Sequence, residues 1–261
     1  MITISGVQTP VDTTSWSPVA NKIYQLKRNT TIIYNYESVG QLRFEMELRA
    51  SIVAAAEALS TSGLRFASFK KAQCNERFWH LTEQGGFRIR DDTTPAAGIR
   101  DMFNDGGKYA TECSTATMAV IYKGVLDSLR ESDFNLLFAG LLLYDWHPDD
   151  HLQLNTQAGI NDIYPGDILY FKNPDFSPET PEWRGENVIV IEDGLYYGHP
   201  FGIVPAQTII DGLNRNRISG SSRSAYLMDQ VTRPDYVYLS QFAPDVRSVI
   251  FARIGELHYV Y

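Results

Sequence analysis

The sequence predicts an α+β fold in which a nucleophile-bearing helix packs on an antiparallel sheet, and three stretches carry that prediction. Behind the breaker pair Gly106-Gly107, small and apolar residues run uninterrupted from Ala116 to Leu129, the mark of a buried helix. Asp193-Gly194 joins two apolar segments and is the strongest hairpin signal in the chain. Ser38-Val39-Gly40-Gln41 matches a capping box, and the apolar residues after it recur at helical spacing.

At 261 residues, 44% hydrophobic and 21% charged, the chain can bury a full core. It reads as a single catalytic domain over 1–261, with 1–36 an irregular lead that packs over the body, because Pro10 and Pro18 interrupt an otherwise polar segment. The balance of 23 basic against 31 acidic residues gives a net charge of -8 with no Lys/Arg cluster. That argues against nucleic acid and anionic membranes as partners. Residues 1–16 lack the basic start and apolar core of a signal peptide, and no apolar run reaches bilayer length, so synthesis and first residence in the cytoplasm are expected. Two cysteines are too few for a disulfide framework and fit a reducing compartment. Cys74, in the polar stretch Lys71-Ala72-Gln73-Cys74, reads as incidental.

The elements follow in order. A first helix begins at Ser38 and ends at residues 60–63. Residues 64–69 alternate like a strand, and 77–81 with 87–90 flank the turn Glu83-Gln84-Gly85-Gly86 as a hairpin. A loop at 91–95 leads to the apolar segment 99–103. The next helix has Thr111 as an N-cap type, which makes Cys113 about its second residue. Residues 134–143 are apolar and end in Tyr144-Asp145-Trp146-His147-Pro148-Asp149-Asp150-His151. This loop lacks the alternating carboxylates of a calcium site, so no metal is expected there. Pro165-Gly166 turns the chain into a strand at 167–171, and a Pro-rich acidic loop spans 173–182. Strands at 187–191 and 195–199, a segment at 208–213, a flexible-looking loop at 214–224 and apolar segments to the end complete the chain.

The chemistry centres on Cys113. Free amides and the positive end of the helix dipole would favour its thiolate and lower its pKa below the ordinary value of about 8.5. Glu112 is adjacent, and Glu186 and His199 supply a second acid and an imidazole from the hairpin. With a two-residue loop, His199 faces Val188 and Glu186 becomes its diagonal neighbour on the same face, about 7 to 8 Å away at the backbone. A three-residue loop would put them on opposite faces. Each residue also has a structural reading: a small buried hydrophobe for Cys113, a dipole complement for Glu112, a solvated acid for Glu186 and a packed histidine for His199. A helix carrying the cysteine ahead of a sheet carrying acid and imidazole is the order of a papain-like cysteine enzyme.

On several motifs the chain resembles the bacterial spore-coat transglutaminases of endospore formers, which have an NlpC/P60-like, papain-related core. The resemblance rests on Phe66-Ala67-Ser68-Phe69, the segment around Glu112-Cys113, Tyr144-Asp145-Trp146-His147, Gly166-Asp167-Ile168-Leu169-Tyr170-Phe171, Trp183-Arg184-Gly185-Glu186-Asn187 and Gln230-Val231-Thr232-Arg233. It covers residues 36–233 and implies Cys113 as nucleophile, Glu186 as its main acid/base partner, Glu112 as a substitute partner and His199 as a third polar residue near the site. Phe69, Trp146, Trp183 and Asn187 would bind substrate, the aromatics lining an apolar passage. The implied reaction joins glutamine to lysine side chains through a Cys113 thioester with loss of ammonia. No cofactor or calcium is implied; the implied partners are spore coat proteins, the implied location is the mother-cell cytoplasm and then the spore coat, and a monomer is expected. The rival readings are a cysteine amidase or peptidase of the same core using water, and a non-catalytic coat component. Pro200 departs from the glycine that the family carries after the histidine, and residues after Arg233 match less well.

Overall fold

The computed structural model describes residues 1–159 and 162–244, with the backbone of two further strands at Phe251–Ile254 and Leu257–Val260. Its first 36 residues correct the expectation of an irregular lead. Strand β1 (Ile2–Ile4) pairs in parallel with β2 (Tyr34–Tyr36), and α1 (Pro18–Arg28) lies between them in sequence. Ser17 caps α1 by accepting the Ala20 N–H at 3.2 Å, and Pro18 suits the first helical position because its missing N–H would have no partner there. The proline that suggested irregularity is a helix start. Trp16, Ile23 and Tyr24 bury against Leu42 and Met46 of the next helix, so the lead does pack over the body.

That helix, α2 (Val39–Thr61), begins where its capping box places it. Ser38 Oγ accepts the Gln41 N–H at 3.1 Å, while the Gln41 carboxamide reaches back to the Glu37 N–H at 2.9 Å. Strand β3 (Arg65–Phe66) is shorter than the alternation in 64–69 suggests, because a turn of 3-10 helix at Phe69–Lys71 cuts it off. The hairpin β4 (Trp79–Leu81) and β5 (Phe87–Ile89) forms as expected. Next come α3 (Pro95–Asn104), β6 (Ala110–Thr111), α4 (Cys113–Ser128), α5 (Glu131–Leu137) and β7 (Leu142–Leu143), which joins the hairpin. Gly124 lets α4 lie close on α2, since a Cβ there would come within 2.5 Å of the Ile52 side chain.

The main sheet is antiparallel, as expected. Strands β8 (Asn155–Ala158), β9 (Ile168–Lys172), β10 (Gly185–Glu192), β11 (Leu195–Gly198), β12 (Gly202–Pro205), β13 (Tyr226–Leu227) and β14 (Gln230–Arg233) run in the order β12-β11-β10-β9-β14-β8, with β13 also on β9. Ile168, Ile189 and Tyr197 join the core built by α2 and α4. Leu169, Val188 and Val190 instead pack with Ile209 and Leu213 of α6 (Ala206–Arg215). A short α7 (Tyr236–Ser240) follows, and of the expected terminal apolar segments, residues 245–250, 255–256 and 261 lie outside the described residues.

The β10–β11 register differs from the expected one. Glu192 pairs with Leu195 across Asp193-Gly194, but a bulge before Glu192 shifts the ladder so that Val190 faces Tyr196 and Val188 faces Gly198. One extra residue on one strand reverses the parity of everything beyond it. Glu186 therefore falls out of the side-chain row of His199.

Buried charges tie the lead to the sheet. Lys27 Nζ lies 2.6 Å from a Glu45 carboxylate oxygen, Arg49 Nε 2.8 Å from the same oxygen, and Arg49 Nη1 2.6 Å from Asp167. Arg233 Nε completes the chain at 2.7 Å from Asp167, and Tyr36 donates to Glu45 at 2.8 Å. Burial alone would push the Glu45 carboxyl up, but Lys27 and Arg49 outweigh it and hold its pKa at about 2.

Glu45→Gln should therefore cost about 3 to 5 kcal/mol in denaturant unfolding, since it leaves the buried Lys27 ammonium without its carboxylate and Arg49 with Asp167 alone. The native pKa of about 2 lies below the ordinary 4.5, so this stabilisation is complete above pH 4.5 and is lost as pH falls toward 2. An acid titration of stability should be flatter for the variant across that window.

Candidate active site

Helix α4 starts inside the protein, where its first amides need a partner other than water. Glu112 supplies it and is the N-cap in place of the expected Thr111: its carboxylate accepts the Ser114 N–H at 2.5 Å and the Thr115 N–H at 2.9 Å. Cys113 is then the first helical residue, one position earlier than expected, with only 5% of its surface exposed. Its Sγ lies 3.7 Å from the Gly185 carbonyl oxygen and 3.9 Å from Ser114 Oγ. The Ser114 hydroxyl is held in turn by Asn187 Nδ2 at 2.9 Å, and Thr117 donates to the Asn187 carbonyl at 3.2 Å. The helix start is thus tied to β10 on both sides of Glu186.

The electrostatics overturn the expected thiolate. Burial pushes the Cys113 thiol well above its ordinary range, and the Glu186 and Glu112 carboxylates push it the same way. The Asn187 backbone N–H, which favours the thiolate, is outweighed. Cys113 rests as a thiol. Burial likewise raises Glu186 well above an ordinary carboxyl and Glu112 adds to this, against the His199 backbone N–H and the Cys113 thiol, which favour the carboxylate. Glu112 is raised by burial although its backbone hydrogen bonds oppose the change.

Glu186, 2% exposed, reaches this place because position 198 has no side chain. A Cβ on Gly198 would stand 3.0 Å from Glu186 Oε1. His199 contributes its backbone N–H to Glu186, while its imidazole sits among the carbonyls of Arg65 and Thr111, 5.8 Å from the Phe66 ring. Burial lowers the imidazole pKa to about 4, so it is neutral near pH 7. The His199-Pro200 peptide bond is cis.

In front of Cys113 lies a cleft of about 260 Å³. Phe69, Trp146, Asn187 and Tyr170 are among its walls, with Thr156, Gln230 and Thr232 on the sheet side. Trp183 packs elsewhere, its indole against Phe66 at 5.1 Å and Phe201 at 6.2 Å. At the cleft mouth Arg184 Nη2 bonds both Asp145 carboxylate oxygens at 2.7 Å. Asp145 has the left-handed φ of 45°, and its N–H donates to Thr115 Oγ1 at 3.0 Å, so the loop before Trp146 is fixed to the first turn of α4. Tyr170, Gly198, Ser114 and the Asp145 to Arg184 pair were not singled out as site residues on sequence grounds. Tyr170, Asp145 and Arg184 stand inside the family-like motifs, but nothing in a strand's alternation marks a tyrosine beside a thiol. Cys74 is far less buried, and burial pushes its thiol to about 11. In the 144–151 loop His147 is exposed, with its Nδ1 on the Tyr144 carbonyl, while the half-buried His151 has its Nδ1 on the Tyr238 hydroxyl.

The sequence model of the protein-glutamine gamma-glutamyltransferase family matches residues 1–243. A protein-glutamine gamma-glutamyltransferase of Bacillus pumilus (strain SAFR-032) is 45% identical over 208 residues, 80% of this chain and 84% of that protein. Another, of Bacillus mycoides (strain KBAB4), is 40% identical over 238 residues, 90% of this chain and 86% of that protein. Among solved structures, a transglutaminase from Geobacillus stearothermophilus without its C-terminal extension is 48% identical and aligns with a TM-score of 0.75, covering 79% of this chain and 98% of that one.

Gly198→Ala should displace the Glu186 carboxylate from the thiol. Moving a negative charge away lowers the Cys113 pKa, so alkylation at Cys113, located by peptide mass, should set in at lower pH than in the unaltered protein. An unchanged alkylation profile would show that the space at Gly198 does not position Glu186.

Proposed function

The chain belongs to the protein-glutamine gamma-glutamyltransferase family, and from that premise we propose that Cys113 is its nucleophile and Glu186 the group that moves the proton. It is a cross-linking acyltransferase acting on glutamine and lysine side chains of proteins. The observation that carries the assignment of roles is the buried pair itself: a thiol at the first position of α4 and a carboxylate whose pKa is raised toward that of the thiol. An ordinary carboxylate is too weak a base for a thiol, and burial strengthens Glu186 as a base while it also holds the proton on the thiol until attack.

The steps balance as follows. Cys113 Sγ attacks the side-chain carbonyl carbon of glutamine while its proton passes to Glu186, and that proton leaves with the amide nitrogen as ammonia. The thioester that remains is attacked by a neutral lysine Nζ. Glu186 takes the amine's proton and returns it to sulfur as the C–S bond breaks, which restores the thiol. Phe69 and Trp146 suit the methylene stem of lysine, and these two rings beside the thiol leave less room for water as the competing acceptor. Asn187 is assigned to holding Ser114 beside the thiol and Trp183 to supporting the wall from Phe66 and Phe201. Glu112 has its two oxygens on the α4 amides, so it substitutes for Glu186 only by giving up part of the cap. His199, neutral and turned to backbone carbonyls, orients Glu186 through its N–H.

We further assign the protein to spore coat assembly, as a monomer made in the mother-cell cytoplasm. The motif resemblance to spore-coat enzymes supports this, and no helix among the described residues is long and apolar enough to cross a membrane. Isolating coats from a sporulating host that carries or lacks the protein, and counting glutamyl-lysine crosslinks, tests it; equal counts would refute the coat assignment.

Cys113→Ala should abolish both amine incorporation and ammonia release with the unfolding transition intact. Glu186→Gln and Glu112→Gln should each leave measurable turnover, with Glu186→Gln the more damaging. The double variant should lose at least about tenfold more than the product of the single losses, or about 1.4 kcal/mol of coupling. Strictly multiplicative losses would return Glu112 to a capping role alone.

The acid side of the pH profile gives an independent check. Glu186 must be ionised to accept the thiol proton and its pKa is raised, so kcat/KM should fall with decreasing pH well above the ordinary 4.5. In Glu186→Gln that limb should move, because the residual turnover then follows the titration of Glu112.

A further inference from the structure

Three charged side chains line the cleft before Cys113: Glu112, Arg184 and Glu182. Two of them are already neutralised. Glu112 accepts two backbone N–H groups at the start of α4, and Arg184 is bidentate on Asp145. Glu182 differs: it is half-buried in the 3-10 turn Pro181–Trp183 and makes no hydrogen bond or ion pair among the described residues. The uncompensated charge of the cleft wall is therefore negative and sits at Glu182. The acyl acceptor arrives as a cation, because a lysine ammonium is almost fully protonated near neutral pH.

We propose that Glu182 is the residue that selects cationic primary amines as acyl acceptors, gathering the ammonium at the cleft mouth, where it gives up one proton to solvent water before the neutral amine passes inward to the thioester. The idea rests on the transferase reading above and deepens it. Charge cannot favour the acyl donor in the same way, since a glutamine carboxamide is neutral. With Arg184 locked to Asp145, a cation at the mouth meets attraction from Glu182 and little opposing repulsion. A half-buried carboxylate facing solvent gives a modest effect, of about fivefold at most, which added salt weakens.

The test compares two acceptors on the whole protein with a blocked glutaminyl peptide as donor. One acceptor is a dansylated alkyl diamine with one free ammonium, and the other is hydroxylamine, which is largely uncharged near neutral pH. Glu182→Gln should raise the KM for the diamine about three- to fivefold while leaving the KM for hydroxylamine and the rate of ammonia release without amine unchanged. Glu182→Lys should raise the diamine KM further. Glu182→Asp, which keeps the charge, should restore most of the loss and excludes misfolding as its cause. High salt should shrink the difference between Glu182→Gln and the unaltered protein. An unchanged diamine KM in Glu182→Gln, or an equal change for both acceptors, would overturn the proposal while leaving the transferase reading in place. Absence of ammonia release from the unaltered protein would overturn the transferase reading first.

Discussion

A helix that begins in the interior must find hydrogen-bond acceptors for its first amides, and the choice of acceptor here conditions the rest of the site. Glu112 meets the Ser114 and Thr115 amides with both oxygens, which fixes Cys113 at the first helical position. It also leaves a carboxylate beside the sulfur. A serine or threonine cap would satisfy the amides without that charge, and the helix dipole could then favour a thiolate. With Glu112 in place and Glu186 opposite, burial and two acids act together, and the thiol keeps its proton until a base removes it. Burial first, then Glu186 and the Glu112 cap, keep the sulfur protonated, so under the proposed roles it needs a base at the moment of attack.

Holding three ionisable groups out of water in this way is costly, and the surrounding scaffold is built from a second buried charge system of opposite character. At Glu112, Cys113 and Glu186 burial prevails and the pKa values rise. At Glu45 and Asp167 cationic partners prevail and they fall. Folding therefore responds to pH in opposed ways at the two places. Raised groups stabilise the fold when protonated and withdraw that help as pH climbs through their native values; lowered groups do the reverse on the acid side. The Arg49 to Asp167 pair is the mechanical link, since it joins the helix that supports α4 to the strand that pairs with β10.

Much of this was legible in the sequence where local chemistry is decisive. Ser38 with Gln41, the Asp193-Gly194 turn and the breaker-free run after Cys113 each specify an element by short-range hydrogen bonding or steric freedom. Where distant parts decide, the sequence was mute. Glu45 and Arg49 occur in an apolar helix as ordinary surface charges would, and their burial depends on Lys27, Asp167 and Arg233 arriving from elsewhere. A bulge in β10 is a one-residue matter, yet it moved His199 out of the row of Glu186. The role of Gly198 is visible only once the Glu186 carboxylate is seen resting on it.

The resting state of Cys113 has a consequence for durability. Peroxides, disulfides and electrophiles react with thiolates, and a thiol that is 5% exposed and held protonated offers them little. An enzyme with a pre-formed thiolate would be fast to start and quickly lost in oxidising surroundings. Under the proposed assignment of Cys113 and Glu186, reactivity is released only when a substrate carbonyl and the base meet at the sulfur, so shelf life and catalysis are governed by the same proton.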